Sequence, residues 1–143
     1  MTAPRPGRSK TAAAWIALLG GSLGLHRAYL YGWRDRWVWW FPWPTLIGLY
    51  GVWRMSKLGQ DDRLAWVLIP PLGLMLAGTM LAAIVYGLTP DEKWRERFDP
   101  QATTRPAGWA AVIAVVLALA VGGGVLMATL AFAAQRWFEY QAG

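Results

Sequence analysis

Apolar and polar positions divide the chain into four apolar runs separated by charged connectors. Residues 11–25 form a first run that closes on His26 and Arg27. Residues 37–53 form a second, interrupted by Pro42 and Pro44. The third and fourth runs, 65–88 and 107–135, contain no Asp, Glu, Lys or Arg. Each of these two is longer than the roughly 20 apolar residues that cross a hydrocarbon core about 30 Å thick. The pattern predicts an all-α integral membrane protein with about four transmembrane helices.

The first run is short for a span. Its basic flank and the small residues at 20–22 resemble a secretory signal. No Ala-x-Ala site follows, however, and apolar text resumes at once, so retention of the segment is expected. Proline removes a backbone donor and clashes one turn back, so the second segment is predicted to be kinked or partly interfacial. Residues 37–41 then lie along the interface and 45–53 enter the bilayer. Pro70 and Pro71 predict a bend in the third segment. Within the mixed-charge connector 89–106, residues 91–98 predict a short amphipathic helix with Trp94 and Phe98 on one face. Thr89 is read as its cap and Pro90 as its first residue, with Asp91 and Glu92 near the positive dipole end.

Four regions follow. Residues 1–10 are a flexible basic tail carrying Arg5, Arg8 and Lys10. Residues 11–60 hold two membrane segments with a glycine-rich motif between them. Residues 61–106 hold the third span and its loop, and residues 107–143 the fourth span and a short tail.

Composition supports the membrane reading. Charged residues make up 15% of the chain and apolar residues 56%, where a soluble domain carries about 25% charge. The net charge is +6. The basic residues flank apolar runs, where anionic headgroups lie, so the lipid bilayer rather than nucleic acid is the expected partner. If all four segments cross, Arg5, Arg8, Lys10, Arg54, Lys57, Arg63 and Arg136 fall on one side. Arg27, Arg34, Arg36, Lys93, Arg95, Arg97 and Arg105 fall on the other. With the two sides tied, the positive-inside rule does not set the orientation; the first segment leans towards cytoplasmic termini. Eleven Trp residues predict a belt of headgroup-level anchors, among them Trp15, Trp33, Trp37, Trp43, Trp53, Trp66, Trp94, Trp109 and Trp137. Abundant Arg, Ala and Gly fit a GC-rich bacterial genome, hence a multi-pass protein of the inner (plasma) membrane.

Small residues recur at helix-packing spacing. Ala110, Ala114, Ala118 and Gly122 share one face of the fourth span, and Ala120, Gly124 and Ala128 make a second row. Gly20 and Gly24 form a third. In lipid, close approach through such residues drives association, within the chain or in a homo-oligomer.

Chemistry-bearing residues are sparse. The chain has no cysteine and a single histidine, which excludes disulfides and thiolate chemistry. No nucleophile elbow, His-Glu-x-x-His or phosphate loop is present. No catalytic residue, metal ligand or cofactor is therefore assigned. The expected class is a structural, accessory or interaction protein of the membrane, with a protein partner or a second copy. An oligomeric transporter or channel component is one alternative, because Pro- and Gly-broken helices line cavities in transporters. A lipid-headgroup-binding protein or enzyme is another, with Arg27, Arg34 and Arg36 as headgroup contacts.

The most informative text runs from Gly20 through Gly21, Gly24, His26, Arg27, Tyr29 and Leu30 to Gly32. It resembles the TM-two (two-transmembrane) domain family, whose pattern passes from a basic Lys-Ser/Thr-Lys entry through an apolar helix to Gly-x-x-Gly-x-His-Arg-Phe-Tyr-Leu-Gly and a second helix. Arg8, Ser9 and Lys10 match the entry. Ala28 stands where the family usually has Phe, and Tyr31 where it has Gly. Trp53 is followed by Arg54 rather than by the family's nearby acid, and acids appear only at Asp61 and Asp62. The resemblance covers residues 8–57. It implies a loop between two helices anchored by His26 and Arg27, and an accessory, signalling or scaffold role.

Overall fold

A computed structural model describes residues 7–102 and 104–143. Arg5, the first basic residue of the expected tail, lies outside them. The described residues are helical, with no strand among them. They form seven α-helices: α1 (Lys10–Gly20), α2 (Leu25–Tyr31), α3 (Arg36–Trp40), α4 (Pro42–Leu58), α5 (Arg63–Leu88), α6 (Asp91–Phe98) and α7 (Trp109–Ala142). Of these, α5 and α7 are long and apolar enough to cross a membrane.

Helix α5 is the centre of the bundle and touches α1, α4 and α7. It runs antiparallel to α4, where Gly48 and Gly51 meet Leu72 and Leu68. It is also antiparallel to α7, where Gly73 meets Thr129 and Gly122 meets Met80. α5 runs unbroken through Pro70 and Pro71.

The first apolar run does not form one long helix. α1 starts at the cap Ser9, whose Oγ accepts from Ala12 N at 3.4 Å, and its eleven residues rise only about 16 Å. A short 3-10 turn at Gly21–Leu23 and Gly24 then reverse the chain. α2 returns to the starting level, so that Ser9 N donates to Tyr29 Oη at 2.9 Å. α1 and α2 are thus a helical hairpin. Its tip packs on Thr79, about 14 Å along α5 from Leu88.

The chain then turns back along the bundle. α3 is capped by Asp35, whose carboxylate accepts from Trp37 N at 3.3 Å. It descends beside the hairpin tip to Phe41, and α4 continues to the far end. The predicted kink therefore falls at Phe41–Pro42. Consequently Gly7–Lys10, the 32–35 turn and α6 lie at one end of the bundle. The 59–62 turn and the C-terminal part of α7 lie at the other.

Three local expectations are corrected. Residues 8–10 are not a loose tail. Arg8 N donates to Phe98 O at 3.0 Å, the Trp94 indole donates to Arg8 O at 2.7 Å, and Lys10 Nζ pairs with Asp91 Oδ1 at 2.7 Å. Pro90, not Thr89, occupies the cap position of α6, because the Thr89 hydroxyl is used by α5, donating to Val85 O at 2.6 Å. Trp94 is no headgroup anchor: it is buried with Phe98 against Ala13, Leu30 and Tyr86.

Size sorts the side chains by position. The buried residues are mostly small: Ala13, Ala14, Ala17, Ala28, Ala65, Ala83, Ala111, Ala114 and Ala118. Large apolar side chains face outwards, among them Trp33, Trp37, Trp39, Trp40, Trp43, Leu46, Leu49 and Trp53. Only 17% of the most apolar stretch of α5 and 22% of that of α7 is buried within the fold. A water-soluble core has the reverse arrangement.

Candidate functional site

The chemistry-bearing residues of the glycine-rich motif gather at the hairpin, and the geometry there is one of packing. Gly24 has φ +79°, the left-handed region that glycine enters without cost. A Cβ on it would lie 2.9 Å from Val38 O and 3.0 Å from Phe41 Cβ. Pro42 has no N–H to offer Val38 O, so this carbonyl lacks its usual helical donor. Nearby, Thr45 Oγ1 donates to Ser22 O at 2.6 Å, tying α4 to the 3-10 turn. Gly21 seats on Thr79, where a Cβ would lie 2.7 Å from the Thr79 Cβ. Gly20 and Gly24 therefore do not form a packing row on one helix face; the reversal between them puts them on different elements.

His26 and Arg27 lie within α2, not in a connecting loop. His26 is 2% exposed. Its ring meets Phe41 edge-on at 5.2 Å and Tyr86 at 6.0 Å between centroids. Among the described residues its Nδ1 is buried without a hydrogen-bond partner. Arg27 is turned to the protein: Nε pairs with Asp35 Oδ2 at 2.8 Å, and the guanidinium lies 4.9 Å from the Tyr31 ring centre. Tyr29 serves Ser9 and lies under the Arg8 guanidinium, 5.1 Å from its ring centre. Arg34 is exposed on the 32–35 turn and Arg36 on the first turn of α3. Of the three arginines, Arg27 is thus engaged by Asp35, while Arg34 and Arg36 face outwards.

On α7, Ala114, Ala118 and Gly122 are buried, Ala118 against Ala17, Met80 and Ala83. The second row, Ala120, Gly124 and Ala128, is exposed. At the far end of the bundle Arg54 grips Asp62 in a two-point fork, 2.8 and 3.1 Å. The side-chain bond from Arg54 holds the Asp62 carboxyl below the usual carboxylate range. Asp62, not a residue nearer Trp53, thus closes the α4–α5 turn.

Sequence reasoning did not single out Asp35, Phe41, Tyr86 or Thr79. Asp35 carried a usable signal, since it sits eight residues beyond Arg27 across a glycine turn. Tyr86 carried another, as the one tyrosine inside an otherwise apolar, charge-free run. Among the described residues no group of three or more His, Cys, Asp or Glu is placed to hold a metal.

The packing role of His26 makes a prediction. His26→Ala is expected to destabilise the purified protein by about 2–4 kcal/mol, as a large-to-small core change. His26→Phe keeps the ring and is expected to cost less than about 1.5 kcal/mol. Thermal unfolding in detergent separates the two; equal losses would show that the imidazole nitrogens matter.

No protein-family model, no curated protein and no solved structure matches the chain.

Proposed function

We propose that this chain is a multi-pass helical membrane protein of structural, accessory or interaction type, of the TM-two kind, and that the hairpin motif is its packing anchor. The observation that carries the reading is the sorting of side chains by size. Alanine and glycine fill the helix contacts while tryptophan and leucine cover the outside. Hydrocarbon gives apolar side chains no reason to turn inwards, so close packing of small residues becomes the cohesive term.

In this reading three helical paths cross the bilayer: α3 with α4, then α5, then α7. The α1–α2 hairpin enters and leaves by the same side, reaching about half the depth of a 30 Å core. This path differs from four crossings and breaks the charge tie. Arg8, Lys10, Arg27, Arg34, Arg36, Lys93, Arg95, Arg97 and Arg105 share the end that holds α6. Arg54, Lys57, Arg63 and Arg136 share the other. Nine against four assigns the α6 end to the cytoplasm and the C-terminus to the opposite face of a plasma membrane. Catalysis is no part of this reading, because the one histidine is walled in by aromatic rings.

Alkaline carbonate extraction tests it. The protein is expected to stay in the membrane pellet and to enter solution only with detergent. A stable monomer in the aqueous fraction would refute the reading.

A further inference from the structure

At the end of the bundle away from the hairpin, α5 begins and α7 ends around a cavity of about 340 Å³. Arg63, Trp66, Val67, Ala133, Arg136, Trp137 and Tyr140 line it. The walls are aromatic and aliphatic, yet two guanidinium groups reach it. The Arg136 guanidinium lies 5.0 Å from the Trp66 ring centre and 5.3 Å from that of Phe132. Arg63 lies 5.7 Å from the Tyr140 ring centre. One acid competes: Glu139 Oε2 accepts from Arg136 Nη1 at 2.5 Å. Even so, Arg136 Nε remains buried without a hydrogen-bond partner among the described residues.

Two cations against one carboxylate leave the cluster one positive charge in excess. Arg63 is also the first residue of α5, and the carboxylate beside it, Asp62, is already held by Arg54. Each guanidinium centre lies over an aromatic ring, and its planar fork of N–H donors suits phosphate oxygens. The apolar walls exclude a fully hydrated ion and suit the glycerol and upper acyl carbons of an amphiphile. Trp66, Trp137 and Tyr140 are the residue types that settle at headgroup depth.

We infer that the Arg63–Arg136 cavity binds the phosphodiester headgroup of an anionic phospholipid. The site is separate from Arg27, Arg34 and Arg36, and it rests on the membrane reading above. The headgroup phosphate bridges Arg63 and Arg136, and the upper acyl chain lies along Val67 and Ala133. Glu139 limits the affinity by holding part of Arg136.

Intrinsic tryptophan fluorescence tests this in vesicles carrying lipid brominated near the top of its acyl chains. Brominated phosphatidylglycerol in a phosphatidylcholine vesicle is expected to quench the full-length protein more than brominated phosphatidylcholine at the same mole fraction. The fitted preference should be roughly five-fold, the scale of one basic residue at a membrane surface. Arg63→Gln, an exposed position that folding should tolerate, is expected to remove most of the preference. Glu139→Gln is expected to raise it. Equal quenching by the two lipids would overturn the site and leave the membrane reading standing. Loss of the preference on adding inorganic phosphate would overturn the lipid assignment in favour of a free anion. No quenching by either lipid would overturn the membrane reading and the site together.

Discussion

Gly24→Leu is expected to lower the accumulation of folded protein sharply. The backbone there is left-handed, with φ +79°, which costs a side-chain-bearing residue roughly 1–2 kcal/mol. The new Cβ would also sit 2.9 Å from Val38 O and 3.0 Å from Phe41 Cβ. Neither neighbour can give easily, because the first is backbone at a proline break and the second is wedged against His26. Overpacking of this kind adds about 1–3 kcal/mol. The sum is a large share of the 5–15 kcal/mol that roughly bounds the stability of a folded domain. Monodisperse yield in detergent should fall several-fold. Gly123→Ala is the control, because a Cβ there meets open space and helix propensity favours alanine by about 0.5–1 kcal/mol. If both variants behave like the parent, the reversal at Gly24 is wrong.

Gly48→Leu should do comparable harm at a different seam. Gly48 packs directly against Leu72 where α4 meets α5. A Cβ there would run into the Leu72 side chain and lie 3.0 Å from Leu72 Cα. Because backbone is involved, relief requires the two helices to move apart, and the contact of Gly51 with Leu68 is then lost as well. The expected result is dispersal of the α4–α5 pair, read as aggregation or as loss of a cooperative unfolding transition. Gly78→Leu lies on the same helix α5, where a Cβ meets nothing within 4 Å. It should be near neutral.

Much of the secondary structure was legible in the sequence. The apolar runs at 65–88 and 107–135 lie largely within α5 and α7, because a charge-free stretch of that length has few other outcomes. The amphipathic stretch 91–98 has the bounds of α6, since two acids at the start and basic residues near the end match the helix dipole. The paired prolines of the second segment marked the α3–α4 break for the same local reason. What was not legible was the path of the first segment. A run too short to cross and a Gly-Gly-x-x-Gly signature are compatible with either a loop or a reversal. The deciding contact, Ser9 with Tyr29, joins residues 20 positions apart whose closeness no local pattern states, and the Arg27–Asp35 pair confirms the turn only once the reversal is known. The same holds for the cavity at Arg63 and Arg136, which are 73 positions apart.

The site residues divide in the same way. Gly21, Gly24, His26, Arg27 and Tyr29 were visible as a cluster, and they do share one hairpin. Their roles were not visible, because burial by Phe41 and Tyr86 depends on chain segments far away in sequence. His26 and Arg27 read in the sequence as the anchor of a loop, but Asp35 and the two aromatic rings that enclose the pair within α2 are not legible there.

Sidedness tests the account most directly, and the chain's lack of cysteine allows single thiols to be placed at Ser9, Arg34, Gln60 and Gln141. The variants are labelled in sealed inside-out and right-side-out vesicles with a membrane-impermeant maleimide. Cys at positions 9 and 34 should label from the cytoplasmic face, and Cys at 60 and 141 from the opposite face. Labelling of positions 9 and 141 from one face and of position 34 from the other would mean that the first segment crosses the bilayer, and would contradict the half-depth hairpin.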